Sequence, residues 1–200
     1  MVTVAEVPAP QAFGLMLLRP FLLLISFGIL WSIPPATGVR ADNLLWQSVA
    51  IVAVDLISLA AAAALLRRHG GTVRGLIRPR RADLGWGLLA AVITVVGFFA
   101  VTFVANVVVY QGAPPQGGSG ITTVPLWFGL WCLIVMPVTI AVAEEVVYRG
   151  VGQGSLSAHW GRWAGLLVMA AVFGFQHLAL TPPDGRGWLA RFLATFLAGV

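Results

Sequence analysis

Long apolar stretches, broken by short polar intervals, make up the pattern of this chain. Runs at residues 13–33, 44–66, 84–110, 124–148 and 163–180 each approach or exceed the ~20 residues that cross ~30 Å of hydrocarbon. A sixth run begins at Trp188 and reaches the last residue, Val200, after too few positions to span, so the chain reads as ending inside a helix. Period-2 alternation of the kind a β-barrel requires is absent, and helices apolar all round are what a bilayer demands. The pattern predicts an all-α, polytopic transmembrane helical bundle of about five complete spans plus a truncated sixth. It forms one membrane-embedded domain over residues 1–200, with no internal repeat and no soluble appendage.

Composition sharpens this. Of 200 residues, 59% are hydrophobic and only 10% charged, against about 25% charged in soluble domains. Such a chain is neither a soluble domain nor a disordered tail, and the single Cys132 excludes a disulfide framework. The net charge of +5 comes from arginines alone. Half of them (Arg67, Arg68, Arg74, Arg78, Arg80 and Arg81) fall between the second and third runs, which marks a cytoplasmic loop and puts the amino terminus on the same side. The first run has Arg19 but no basic stretch before it and no small-residue cleavage site after it, so it is a retained span. The basic excess is a topology signal, with contact to anionic lipid as a secondary role and no nucleic acid as partner. Residues 111–120 (QGAPPQGGSG) are an uncharged, flexible loop on the opposite side. Most of the eight tryptophans lie near run ends, where aromatic rings anchor at the interface.

The informative residues are those whose burial in lipid is costly. A carboxylate deep in a spanning helix costs roughly 2.5–3.5 kcal/mol on insertion scales. Asp55 lies in the second run, with Arg19 or a backbone group as its partner. Glu144 and Glu145 close the fourth run. Glu145 stands four residues before Arg149, the favourable order for a helical ion pair. Glu144 is rotated about 100° away and is left, on this reading, as the carboxylate free for chemistry. Phe173 and His177, also four apart, share a face of the fifth run. If the fourth helix continues past Arg149 and turns back near Trp160, Glu144 and His177 lie at one depth and can share a water. The glycines at 150, 152 and 154 weigh against an unbroken helix, and Pro137 kinks it about two turns before Glu144. The plainer alternatives are an ion-pair latch for the acids, a hydrogen-bonded core histidine for His177 and packing for Phe173. A catalytic zinc usually takes three protein ligands plus water; HExxH is absent, and only Glu144, Glu145 and His177 are plausible ligands, so zinc or no metal are both open.

The segment Glu144-Glu145-Val-Val-Tyr-Arg149 followed by Phe173-Gly-Phe-Gln-His177 resembles the EExxxR and FxxxH motifs of the CAAX-protease and bacteriocin-processing (Abi, type II CAAX-prenyl endopeptidase) family of intramembrane proteases. The resemblance covers about the last third of the chain. It implies a glutamate-dependent intramembrane endopeptidase in a bacterial plasma membrane. Glu144 would be the base that activates water and His177 its helper, with Glu145, Arg149 and Phe173 supporting. The partners implied are the lipid bilayer and a membrane-associated or lipidated peptide or protein substrate. A further family motif, histidine followed four residues later by asparagine, has no counterpart after His177. The chain is accordingly expected to be a truncated form of a longer protein, or else an inactive immunity or scaffold subunit that keeps the motifs for packing. A small transporter would need a polar stripe through several spans, which the sequence lacks.

Overall fold

The computed structural model describes residues 7–34, 44–77, 83–111, 125–180 and 185–200. Every regular element among them is helical. The order is α1 (Ala9–Ser32), α2 (Leu44–Arg68), a single turn α3 (Val73–Leu76) and α4 (Asp83–Tyr110). Next comes one rod, Leu126–Trp160, built from α5 (Leu126–Leu130), a π-helical segment Trp131–Val135, α6 (Met136–Glu144), a second π segment Glu145–Gln153, and α7 (Gly154–Trp160). After it come α8 (Arg162–Gln176), a 3-10 turn His177–Leu180, and α9 (Gly185–Gly199). Five of these helices are long and apolar enough to cross a membrane, and the chain is an integral multi-pass membrane protein.

The apolar run of the fourth span ends at Tyr148, but the helix continues past Arg149 and turns back near Trp160, the course that brings Glu144 and His177 to one depth; Gly161, at φ 89°, reverses the chain into α8. Gly150 and Gly152 lie within the π segment and Gly154 opens α7, so the three glycines do not break the helix. Pro137 acts similarly: it has no N–H for the carbonyl four residues back, and a π segment precedes it. The arginine-rich interval begins as expected, with Arg67 and Arg68 exposed in the last turn of α2 and Arg74 in α3. Arg78, Arg80 and Arg81 and the loop at 112–120 lie outside the described residues.

The core forms where α1, the end of α2, the second π segment and α8 meet. Met16 of α1, Leu66 of α2, Val147, Tyr148 and Val151 of the π segment, and Met169 of α8 are all buried together. Close approach there requires glycine: a Cβ on Gly152 would sit 2.2 Å from the Met16 sulfur. By contrast α4 packs chiefly on α9, which in turn rests on α8. Its remaining surface, including Val92, Ile93, Val96 and Phe103, is exposed, an apolar face suited to lipid. The start of α1 sits at one end of the bundle with the ends of α2 and α7. There His69 meets Gln11 (Nε2 to Oε1, 2.9 Å), and the Ser155 hydroxyl donates to the Val7 carbonyl at 2.6 Å.

Candidate active site

Glu144 is the last residue of α6, and Glu145 the first of the π segment that follows. Because successive helical residues are rotated by about 100°, the two carboxylates part company. Glu145 turns outward and meets Arg149 (Nη1 to Oε2, 3.3 Å), with both side chains more than half exposed. This is the ion pair that the four-residue spacing predicts. Exposed on both sides, it stabilises the fold little.

Glu144 turns inward and, contrary to the sequence reading, is not without a partner. Arg19 of α1 donates from Nη1 to Glu144 Oε1 at 3.0 Å, and Gln176 of α8 donates from Nε2 to the same oxygen at 2.9 Å. Residue spacing reveals partners only on one helix, whereas Arg19 and Gln176 reach Glu144 from other spans. Oε2 accepts no hydrogen bond from the described residues. Arg19 is itself fixed by Asp55 of α2, whose Oδ1 accepts from Nε at 3.0 Å and from Nη2 at 2.7 Å. The Arg19–Asp55 partnership offered by the sequence is therefore present, with Asp55 fully buried.

Gln176 ties the cluster together. Its Oε1 accepts from Arg19 Nη1 and from the Tyr148 hydroxyl, the latter at 2.7 Å. Those two donors require the carbonyl side of the amide and so orient Nε2 toward Glu144, since the flipped amide would set NH2 against a guanidinium. The Met16 carbonyl, 3.3 Å from the Tyr148 hydroxyl, is an alternative acceptor for its single hydrogen. Neither Gln176 nor Tyr148 stood out in the sequence reading. The available signals were a lone amide in an apolar run and one of only two tyrosines in the chain, placed inside the acidic motif.

His177 lies just past the end of α8, in the 3-10 turn. Its Nδ1 is 2.7 Å from the Phe173 carbonyl. A carbonyl can only accept, so Nδ1 carries the proton and Nε2 is the basic nitrogen of the neutral ring. Phe173 stands edge-on between Tyr148 and His177, with ring centroids 5.6 Å and 4.8 Å away. The packing role expected of Phe173 is the one it has, and that packing sets the His177 ring.

Glu144, Glu145, Arg149 and His177 all line one cavity of about 610 Å³, closed on the far side by Val95, Phe98 and Phe99 of α4 and by Thr195 of α9. The structure thus brings all five site residues drawn from the sequence, Phe173 included, into the lining of one space. His159 and His69 lie away from it. Among the described residues no three of His, Cys, Asp and Glu converge as a metal cage would need. Glu145 pairs with Arg149, and Oε1 of Glu144 already faces a guanidinium.

Chemically the arrangement offers one carboxylate oxygen held by two donors, the other without a hydrogen-bond donor among the described residues, and an imidazole, all on a partly open, mostly apolar space. That is the equipment for moving a proton to and from water. The chain has no match among curated proteins or among solved structures. Its carboxy-terminal segment, residues 125–200, contains both acidic and histidine motifs and the cavity wall they form. That segment matches the family model described as Type II CAAX prenyl endopeptidase Rce1-like, the family that the two motifs resemble.

Proposed function

We propose that this protein is an intramembrane endopeptidase that uses Glu144 as its general base, hydrolysing a peptide bond in a membrane-associated or lipidated peptide. The observation that carries the reading is the asymmetry of Glu144: Oε1 is occupied by Arg19 and Gln176, while Oε2 is left for a water in a cavity shared with His177. In this reaction Glu144 takes a proton from water as its oxygen attacks the scissile carbonyl. The proton then passes to the leaving amine, directly or through His177 Nε2, and the C–N bond breaks. One guanidinium faces two carboxylates in the Arg19, Asp55 and Glu144 cluster, so a proton taken from water completes the charge balance. The apolar wall from α4 suits a substrate delivered from the bilayer, with aliphatic groups beside the bond to be cut.

One observation favours a second reading. The cluster of Arg19, Asp55, Glu144 and Gln176 joins α1, α2, α6 and α8, which is what a purely structural latch in an inactive scaffold protein would also do.

The test is cleavage of a library of membrane-tethered peptides by the reconstituted protein, with and without a chelator. Glu144→Gln keeps the shape and the Oε1 acceptor but loses the base, and is expected to cut the rate by about 10²–10⁴-fold. His177→Ala is expected to lower it markedly and Glu145→Ala less, with all three still folded. A rate that a chelator abolishes and zinc restores would require a metal in the mechanism. Equal cleavage in all variants would leave only the latch.

A further inference from the structure

We infer that Arg19, clamped by Asp55, is a positioning residue that fixes which carboxylate oxygen of Glu144 is presented to the cavity; this rests on the reading of Glu144 as the base. The torsion about the last bond of a glutamate is broad and nearly two-fold, so an unrestrained carboxylate exchanges its oxygens freely. Here Oε1 is held from two directions by Arg19 Nη1 and Gln176 Nε2. Both donors converge on the same oxygen, which leaves Oε2 as the one presented.

The guanidinium suits this task because it is a rigid fork with two usable edges. One edge, Nε and Nη2, is spent on Asp55 Oδ1, and that carboxylate is fully buried on α2. The remaining Nη1 is thereby aimed across the bundle, where it contacts Glu144 and the Gln176 carbonyl oxygen together. Gln176 receives a second constraint from the Tyr148 hydroxyl, so its own donor is aimed at Glu144 in turn. A lysine at position 19 would supply a charge but could not hold Asp55 and Glu144 from opposite edges. The Arg19–Asp55 pair alone joins α1 to α2; the convergence of Arg19 Nη1 and Gln176 Nε2 on a single Glu144 oxygen is what the positioning role explains.

The experiment compares the reconstituted full chain with Arg19→Met/Asp55→Leu and with Arg19→Lys. Kinetics on a cleaved peptide, thermal unfolding, and labelling of Glu144 by an apolar carbodiimide, located by mass spectrometry, are measured on each. The double variant removes both members of the pair, so no buried charge is stranded on α1 or α2 and the fold is expected to survive. Positioning predicts that its kcat falls by about thirtyfold or more while KM stays within about threefold, the signature of an interaction used in the transition state. Arg19→Lys, which keeps the charge, is expected to lose about tenfold in kcat. Glu144 labelling should rise at least about threefold in the double variant, because Oε1 is uncovered. A double variant with kcat within about threefold of the unmodified protein would reduce Arg19 to a latch and overturn the inference. Should that variant fail to fold, an unchanged kcat in Arg19→Lys would overturn it equally. If the unmodified protein cleaves nothing, the proposed function falls on its own account, and unchanged Glu144 labelling would then sink the positioning role separately.

Discussion

Pro20, inside α1, has no N–H to offer the carbonyl of Met16 one turn earlier. That carbonyl would be left without a donor in the middle of an apolar bundle, a costly position. The Tyr148 hydroxyl points at it from 3.3 Å while lying 2.7 Å from Gln176 Oε1. With one hydroxyl hydrogen to give, Tyr148 stabilises whichever acceptor it serves, and the Arg19 guanidinium covers Gln176 in either case. Replacing Tyr148 by Phe is therefore expected to cost about 1 kcal/mol of stability, the typical net value of one such bond. Gln176 remains held by Arg19, so the loss in kcat should be no more than about tenfold, which corresponds to about 1.4 kcal/mol of barrier. Denaturant titration in detergent together with peptide kinetics checks both figures. A loss as deep as that of Glu144→Gln would mean that Tyr148 touches the reacting atoms.

At the scale of elements, the hairpin between the fourth and fifth spans depends on backbone contact. A Cβ on Gly165 of α8 would fall 2.6 Å from the Ser157 nitrogen and 2.8 Å from its Cα, atoms that cannot move without shifting α7. Gly165→Ala is accordingly expected to destabilise by about 1–3 kcal/mol through overpacking. In α5, Gly129 has nothing within 4 Å of its missing Cβ, and Gly129→Ala is expected to be neutral or to gain up to about 1 kcal/mol from helix propensity. Thermal unfolding of the two variants side by side decides this; similar shifts in both would mean that the α7–α8 approach is looser than described. These contacts also mark how much was legible in the sequence. Helices were legible, because lipid leaves the backbone no other choice. So was the Glu145–Arg149 pair, since a four-residue spacing is a local fact. The π segments were not, for glycine and proline announce only that the ladder is disturbed and not whether it breaks or widens. Nor was the placing of Arg19 against Glu144. Helices apolar on every side carry no stripe that says which neighbour they face, so only the scarcity of polar residues hinted that Arg19, Asp55 and Glu144 would find one another.

At the scale of the whole molecule, the alternation of spans makes a claim that holds whichever way the protein is inserted. The Gln11–His69 and Val7–Ser155 contacts gather the start of α1, the turn after α2 and the α7–α8 turn at one end. α4 carries the chain from the end that holds α3 to the other, ending at Gln111. Single cysteines at Gly70, Gly161 and Gln111, in a background with Cys132 replaced by Ala, are therefore expected to divide two to one. Positions 70 and 161 should react with a membrane-impermeant thiol reagent from the same side, and position 111 from the other. The positive-inside rule adds the direction, because Arg67, Arg68 and Arg74 cluster beside position 70. In right-side-out vesicles position 111 should label and the other two should stay silent until the vesicles are opened. Reversed labelling of all three would overturn the cytoplasmic assignment of the arginines and leave the bundle intact. Labelling of 70 and 161 from opposite sides is incompatible with the shared end, and with it the depth match that lets Glu144 and His177 face one cavity would be lost.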